Sequence, residues 1–137
     1  MARAKVILVD ADVISHFIAT DHIYELNEIL SPHQLYIVDN VYKEATYHPS
    51  DKERKNKIDE WLKKSKACRI SFPKLNRKIM TEFFKLKRDY KLLGDGECAC
   101  MAMARFEKEA IASSNFRDVC MYMTTPFPSF SIISIAL

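Results

Sequence analysis

Two glycines occur in 137 residues, and both fall in one segment, Leu93-Gly94-Asp95-Gly96-Glu97. Cys98 to Ala104 then runs without a charge until Arg105. Glycine is where a backbone turns sharply or comes close to another segment. A chain with so few glycines has few such places, so this segment constrains the fold more than any other. It predicts a tight turn into a buried helix running from Gly96 to about Glu109. Asp95 and Glu97 would lie at or just before the first turn of that helix, where exposed N–H groups favour negative charge. Taken alone, the motif reads equally well as helix capping and as a functional pair. The positions of the other acids shift that balance.

The first of these acids closes the first strand. Val6-Ile7-Leu8-Val9 is a β-branched apolar run that reads as a buried strand. It ends at Asp10-Ala11-Asp12, after which Val13, Ile14, Phe17 and Ile18 recur at helical spacing. Asp10 is therefore expected at the carboxyl end of a strand, the edge where open α/β sheets bind ligands. Of the two acids, Asp12 is the expected helix cap.

Thr20 to Leu30 reads as a helix stopped by Ser31-Pro32, Leu35 to Val38 as a second strand, and Val41 to Tyr47 as a helix capped by Asp39. Glu44 lies one turn inside that helix, at i+4 from Asn40, and can point back toward the strand's carboxyl edge. A lone helical Glu is otherwise simply solvated. Pro49 to Lys66 is an amphipathic surface helix with Ile58, Trp61 and Leu62 as its stripe, and Leu75 to Tyr90 is a mixed helix around Ile79, Phe83, Phe84 and Leu86. These two helices carry most of the basic residues, as a solvated face or as a rim contacting phosphates. Ala110 to Ser114 reads as a strand of small residues. Asn115 to Met123 follows as a short helix, capped by Asn115 with Asp118 in its first turn, and Phe130 to Leu137 as a last apolar strand.

The alternation of strands and helices predicts one α/β domain over residues 1–137, with a parallel sheet covered by helices on both faces. The formal net charge of +3 is compatible with a nucleic-acid partner without demanding one. No apolar run is long enough to span a membrane. The opening residues run straight into the first strand with no signal-peptide pattern, and the four cysteines show neither zinc-site nor paired spacing. A reducing cytoplasm is the expected location.

In such a sheet Asp10, Glu44, Asp95, Glu97, Asn115 and Asp118 share one address, the carboxyl edge. Carboxylates meeting there repel one another unless a cation compensates them. An all-oxygen donor set suits Mg2+ or Mn2+ rather than zinc. Such a cation can activate a water and neutralise charge on a phosphate, so the expected chemistry is phosphodiester hydrolysis.

Four segments in this order resemble the PIN-domain ribonucleases, which include the VapC-type toxins. They are Val6 to Ile14, Val41-Tyr42-Lys43-Glu44-Ala45, Leu93-Gly94-Asp95-Gly96-Glu97, and Ile111-Ala112-Ser113-Ser114-Asn115 with Asp118 just after. The Asp-Gly-Glu form is similar to a subgroup in which a Gly-Glu pair opens the central helix. The resemblance implies a three-layer α/β/α sandwich and cleavage of RNA. It implies Asp10, Glu44 and Glu97 as metal-site acids, with Asp95 close by or substituting. It also implies a homodimer and a cognate antitoxin. The chain departs from the family pattern after the strand ending in Ser113-Ser114, where Asn115 and Phe116 stand in the region of a usual acid. Asn115 can offer a carbonyl oxygen but no charge, and Asp118 is the acid that could reach in instead.

Two other readings compete. Val6 to Asp12 also resembles the first motif of haloacid-dehalogenase-type phosphatases, but the short tail after Ser114 holds no Lys and Asp118 is its only acid. The other is a PIN-like module that binds RNA or protein with an impaired metal site, motivated by Asn115.

Overall fold

The computed structural model describes residues 6–47, 50–107 and 110–113 in full and the backbone of residues 131–134. The described residues form five strands and six helices, in the order β1 (Val6–Val9), α1 (Ala11–Ala19), α2 (Ile23–Ile29), β2 (Gln34–Val38), α3 (Asp39–Thr46), α4 (Lys52–Lys64), β3 (Cys68–Ile70), α5 (Arg77–Asp89), α6 (Asp95–Glu107), β4 (Ala110–Ser113) and β5 (Ser131–Ser134). The strands form one parallel sheet in the order β3-β2-β1-β4-β5. With helices packed on its faces, the sheet is the middle layer of a three-layer α/β/α sandwich.

Burial on both faces explains why the central strands are continuously apolar rather than alternating. Ile7, Leu8 and Val9 of β1 and Ile111 and Ala112 of β4 are fully or almost fully buried. The helices follow the expected stripes. Ile58 and Trp61 carry α4 into the core, and the Trp61 indole N–H donates to Asn27 Oδ1 at 2.7 Å, so its polar atom is not stranded there. Ile79 and Leu86 seat α5, which is tied to α6 by a buried ion pair between Arg105 Nη1 and Glu82 Oε1 at 2.7 Å.

The order of the strands places the site. The chain steps outward from β1 through β2 to β3, then returns across the sheet to β4 on the other side of β1. β1 and β4 therefore flank a topological switch point, and the crevice at their carboxyl ends is where sheets of this kind hold ligands.

Several local expectations are corrected. The three-residue strand β3 was not foreseen: Cys68 and Arg69 are exposed, so this edge strand has no apolar signature. Asp10, not Asp12, caps α1, because it alone is placed to turn its carboxylate onto the Ala11 N–H. Asp39 does not cap α3. It lies in the first turn and pairs with Arg69 Nε at 2.9 Å. The expected helix over 115–123 lies outside the described residues.

Neither glycine is needed for a left-handed turn, since no glycine has positive φ. Their reason is close approach. A Cβ on Gly94 would lie 3.0 Å from Glu44 Oε1, and one on Gly96 would lie 3.0 Å from Val41 Cγ2 and 3.2 Å from Glu44 Oε2. The two bare backbone positions make room for a side chain of α3.

Candidate active site

Asp10 is the centre of the switch-point crevice. It is 2% exposed, a rare degree of burial for an acid. Its backbone is bound to β4 through an N–H donated to the Ala112 carbonyl at 3.0 Å. Oδ1 accepts from the Ala11 N–H at 2.8 Å and Oδ2 from the Ser113 hydroxyl at 3.1 Å. Burial, and after it the negative charge of Glu97, push the Asp10 carboxyl up to about 7; the Ala11 bond opposes this, Asp12 adds to it, and the Ser113 bond opposes it. Near neutral pH the Asp10–Glu97 pair therefore retains a proton part of the time.

Glu97, half-buried in the first turn of α6, is the residue through which that helix addresses Asp10. Glu44 reaches the same turn from α3 and accepts the Gly96 N–H on Oε1 at 2.7 Å. Asp95 is turned elsewhere. Its exposed carboxylate pairs with Lys87 Nζ of α5 at 2.5 Å, and this partner holds the Lys87 ammonium charged to higher pH than usual. Asp12 is exposed on α1. Asn115 and Asp118 lie outside the described residues.

Lys87 and Ser113 were not picked out as site residues from the sequence. Nothing marks Lys87 among the other cations of α5, and the only cue for Ser113 was its place at a strand end. Cys98, next to Glu97, is buried, and burial pushes its thiol up to about 12, so it is neutral. A cavity of about 300 Å³ lined by Tyr24, Asn27, His33 and Lys66 sits by the amino ends of β2 and β3, away from these acids.

The donor set of the Asp10–Glu97 pair is carboxylate oxygen, the kind Mg2+ and Mn2+ take, and Mg2+ keeps several waters when only one or two carboxylates hold it. A cation would supply the positive charge for which the pair holds its proton. In that respect the residues fit the ion. Among the described residues no group of three metal-capable side chains is assembled, so a third protein donor would come from elsewhere. No helix among the described residues is long and apolar enough to cross a membrane.

No protein-family model matches the chain, and no curated protein matches it in sequence. Solved structures do match in shape. VapBC2 from Rickettsia felis, bound to a DNA fragment from its promoter, is similar with a TM-score of 0.71 and 15% identity, over 96% of this chain and 99% of that one. A toxin–antitoxin complex from Klebsiella pneumoniae matches with a TM-score of 0.61 and 16% identity, over 93% of this chain and 95% of that one. FitAcB from Neisseria gonorrhoeae matches with a TM-score of 0.59 and 13% identity, over 93% of this chain and 96% of that one. At such identities the likeness is one of fold alone, and that fold is the VapC-like PIN fold.

Proposed function

We propose that the chain is a Mg2+- or Mn2+-dependent endoribonuclease and the toxin of a toxin–antitoxin pair. The observation that carries this reading is the buried Asp10 at the carboxyl end of β1, close enough to Glu97 to feel its negative charge. The shape-related complexes support the antitoxin as partner.

Asp10 and Glu97 would hold the cation. Asp118 and the Asn115 carbonyl are the further candidates from the sequence, and water would complete the shell. When bound, the ion supplies an acidified water and neutralises charge on the scissile phosphate. The chain's own residues do the rest. Asp10 would hold the cation as the ionised carboxylate, so its proton would have to leave first. Ala11 and Ser113 hold its two oxygens in one orientation, so little ordering is left for the moment of reaction. Exposed Lys52, Lys57 and Lys63 on α4 and Lys78 and Lys85 on α5 add a positive field that draws RNA toward the acidic crevice. Phe84, 61% exposed on α5, is the natural apolar contact for a homodimer.

The second reading, an RNA- or protein-binding module with an impaired site, is favoured by the missing third donor among the described residues. Titration calorimetry with Mn2+ on the wild type and on Asp10→Asn, with circular dichroism as a folding control, decides between the two. Binding lost in a folded Asp10→Asn protein, followed by cleavage of single-stranded RNA that requires the ion, supports the nuclease. A wild type that neither binds Mn2+ nor cuts RNA, with RNA binding indifferent to Asp10→Asn, supports the module.

A further inference from the structure

The residue at the cap position of α6 carries no side chain. Gly94 accepts the first helical bond, from the Cys98 N–H at 3.1 Å, and so holds the cap position. A side chain there would ordinarily accept an N–H two or three residues on, and Gly94 has none. Glu44 takes that place from 52 positions away, accepting the Gly96 N–H at 2.7 Å. The fit is mutual. A Cβ on Gly94 would lie 3.0 Å from Glu44 Oε1, so a side chain there would press on the distant cap. The next residue of the same turn is Glu97, the acid that faces Asp10.

We propose that Glu44 is a positioning residue: it caps α6 from α3 and thereby sets Glu97 against Asp10, rather than holding the metal itself. Its other oxygen is packed beside the bare Gly96 backbone. The second acid of the turn is also committed, since Asp95 is paired with Lys87. The turn is thus pinned from α3 and from α5, and Glu97, in the same turn, is the acid whose charge acts on Asp10. This assignment rests on the metal-site reading for its consequence, though not for the cap.

The test has two readouts, amide hydrogen exchange at Gly96 without metal and Mn2+ affinity by calorimetry. Glu44→Ala should speed exchange at Gly96 about tenfold and weaken Mn2+ binding about as much, because the first turn of α6 frays. Glu44→Gln keeps an acceptor oxygen and should retain slow exchange and Mn2+ affinity within about threefold of wild type, since an exposed charge acts weakly at a distance. The double variant Glu44→Ala/Gly94→Ser rebuilds a local cap in the vacated space and should recover both readouts. A metal ligand would behave otherwise. If Glu44→Gln loses Mn2+ as Asp10→Asn does, or the local cap restores exchange but not affinity, Glu44 holds the ion and the proposal is overturned. Unchanged Gly96 exchange in Glu44→Ala overturns it as well. A wild type that binds no Mn2+ defeats the nuclease reading instead, and the exchange series still decides whether Glu44 is the cap.

Discussion

Ser113 donates its hydroxyl to Asp10 Oδ2 at 3.1 Å although 103 positions separate them. The bond joins the carboxyl ends of β4 and β1 inside the crevice. It is one of two bonds that favour the ionised carboxylate against burial and the charge of Glu97, and these two bonds do not win.

The stability of the protein should therefore carry the mark of Asp10. Its carboxyl is raised from an ordinary 3.8 to about 7. Below that ordinary value both folded and unfolded chains hold the proton. Between the two values the folded chain keeps a proton that the unfolded chain has lost, so this contribution to stability falls as pH rises and levels off above about 7. Asp10→Asn still caps α1, since Asn is as good a cap as Asp. It should be more stable than wild type at pH 8 by up to roughly 4 kcal/mol, with the gap closing toward pH 4. Urea denaturation at several pH values measures this. A gap independent of pH would mean that Asp10 does not titrate in this window.

Cation binding should follow the same proton. Below pH about 7 a metal ion must displace the proton from the Asp10–Glu97 pair, so Mn2+ affinity should drop about tenfold per pH unit on the acid side and flatten above. Calorimetry at pH 6 in buffers of differing ionisation enthalpy should record about one proton released per ion bound. Proton release of zero would separate the metal from Asp10.

Gly96→Ala sets helix propensity against packing. Alanine favours a helix by up to about 1 kcal/mol over glycine. Its Cβ would press on Val41 Cγ2 at 3.0 Å, and Val41 is fully buried and cannot yield, whereas Glu44 can swing outward. Overpacking of this kind costs about 1–3 kcal/mol, so the variant should be less stable than wild type. Thermal unfolding would show it, and a rise in Tm would mean that α3 moves aside freely.

The Arg105–Glu82 pair should matter far more than the surface pairs. Its side chains are 12% and 8% exposed, while those of Lys64 and Glu60 are 62% and 54% exposed. Removing one member of a buried pair takes a charge partner from a group held out of water, at a cost of up to about 3–5 kcal/mol. Arg105→Met should lower stability by an amount in that range, and Lys64→Met should leave the melting curve almost unmoved. Equal effects would show that the α5–α6 contact is open to water.

Thiol labelling offers a check on the α6 core. Cys68 is exposed on β3, while Cys98 and Cys100 are buried in α6, with the Cys98 thiol pushed up to about 12 by burial. The thiolate is the reacting species. At pH 8 iodoacetamide should modify Cys68 readily and Cys98 and Cys100 only after denaturation, as followed by peptide mass spectrometry. Early labelling of Cys98 would mean that α6 opens locally.

The sequence by itself determined the elements. The apolar run of Val6–Val9, the stripes of α4 and α5 and the uncharged stretch of α6 are local patterns, and local backbone hydrogen bonding turns such patterns into strands and helices. It also singled out the acids and the pair of glycines. It did not reveal β3, whose exposed edge residues bear no periodic mark. Nor did it determine which partner each acid would take. Asp39 found Arg69, Asp95 found Lys87, Glu44 found the Gly96 backbone, and Asp10 found Ser113. Apart from Lys87 and Asp95, those partners lie tens of residues apart, and they meet because β2 pairs with β3 and β1 pairs with both β2 and β4. That strand order decided that Asp10 would be buried, that Glu97 would face it, and that a glycine at 94 would serve close approach rather than a turn. Burial and pairing depend on what the rest of the chain brings to a residue, and only the tertiary structure supplies that.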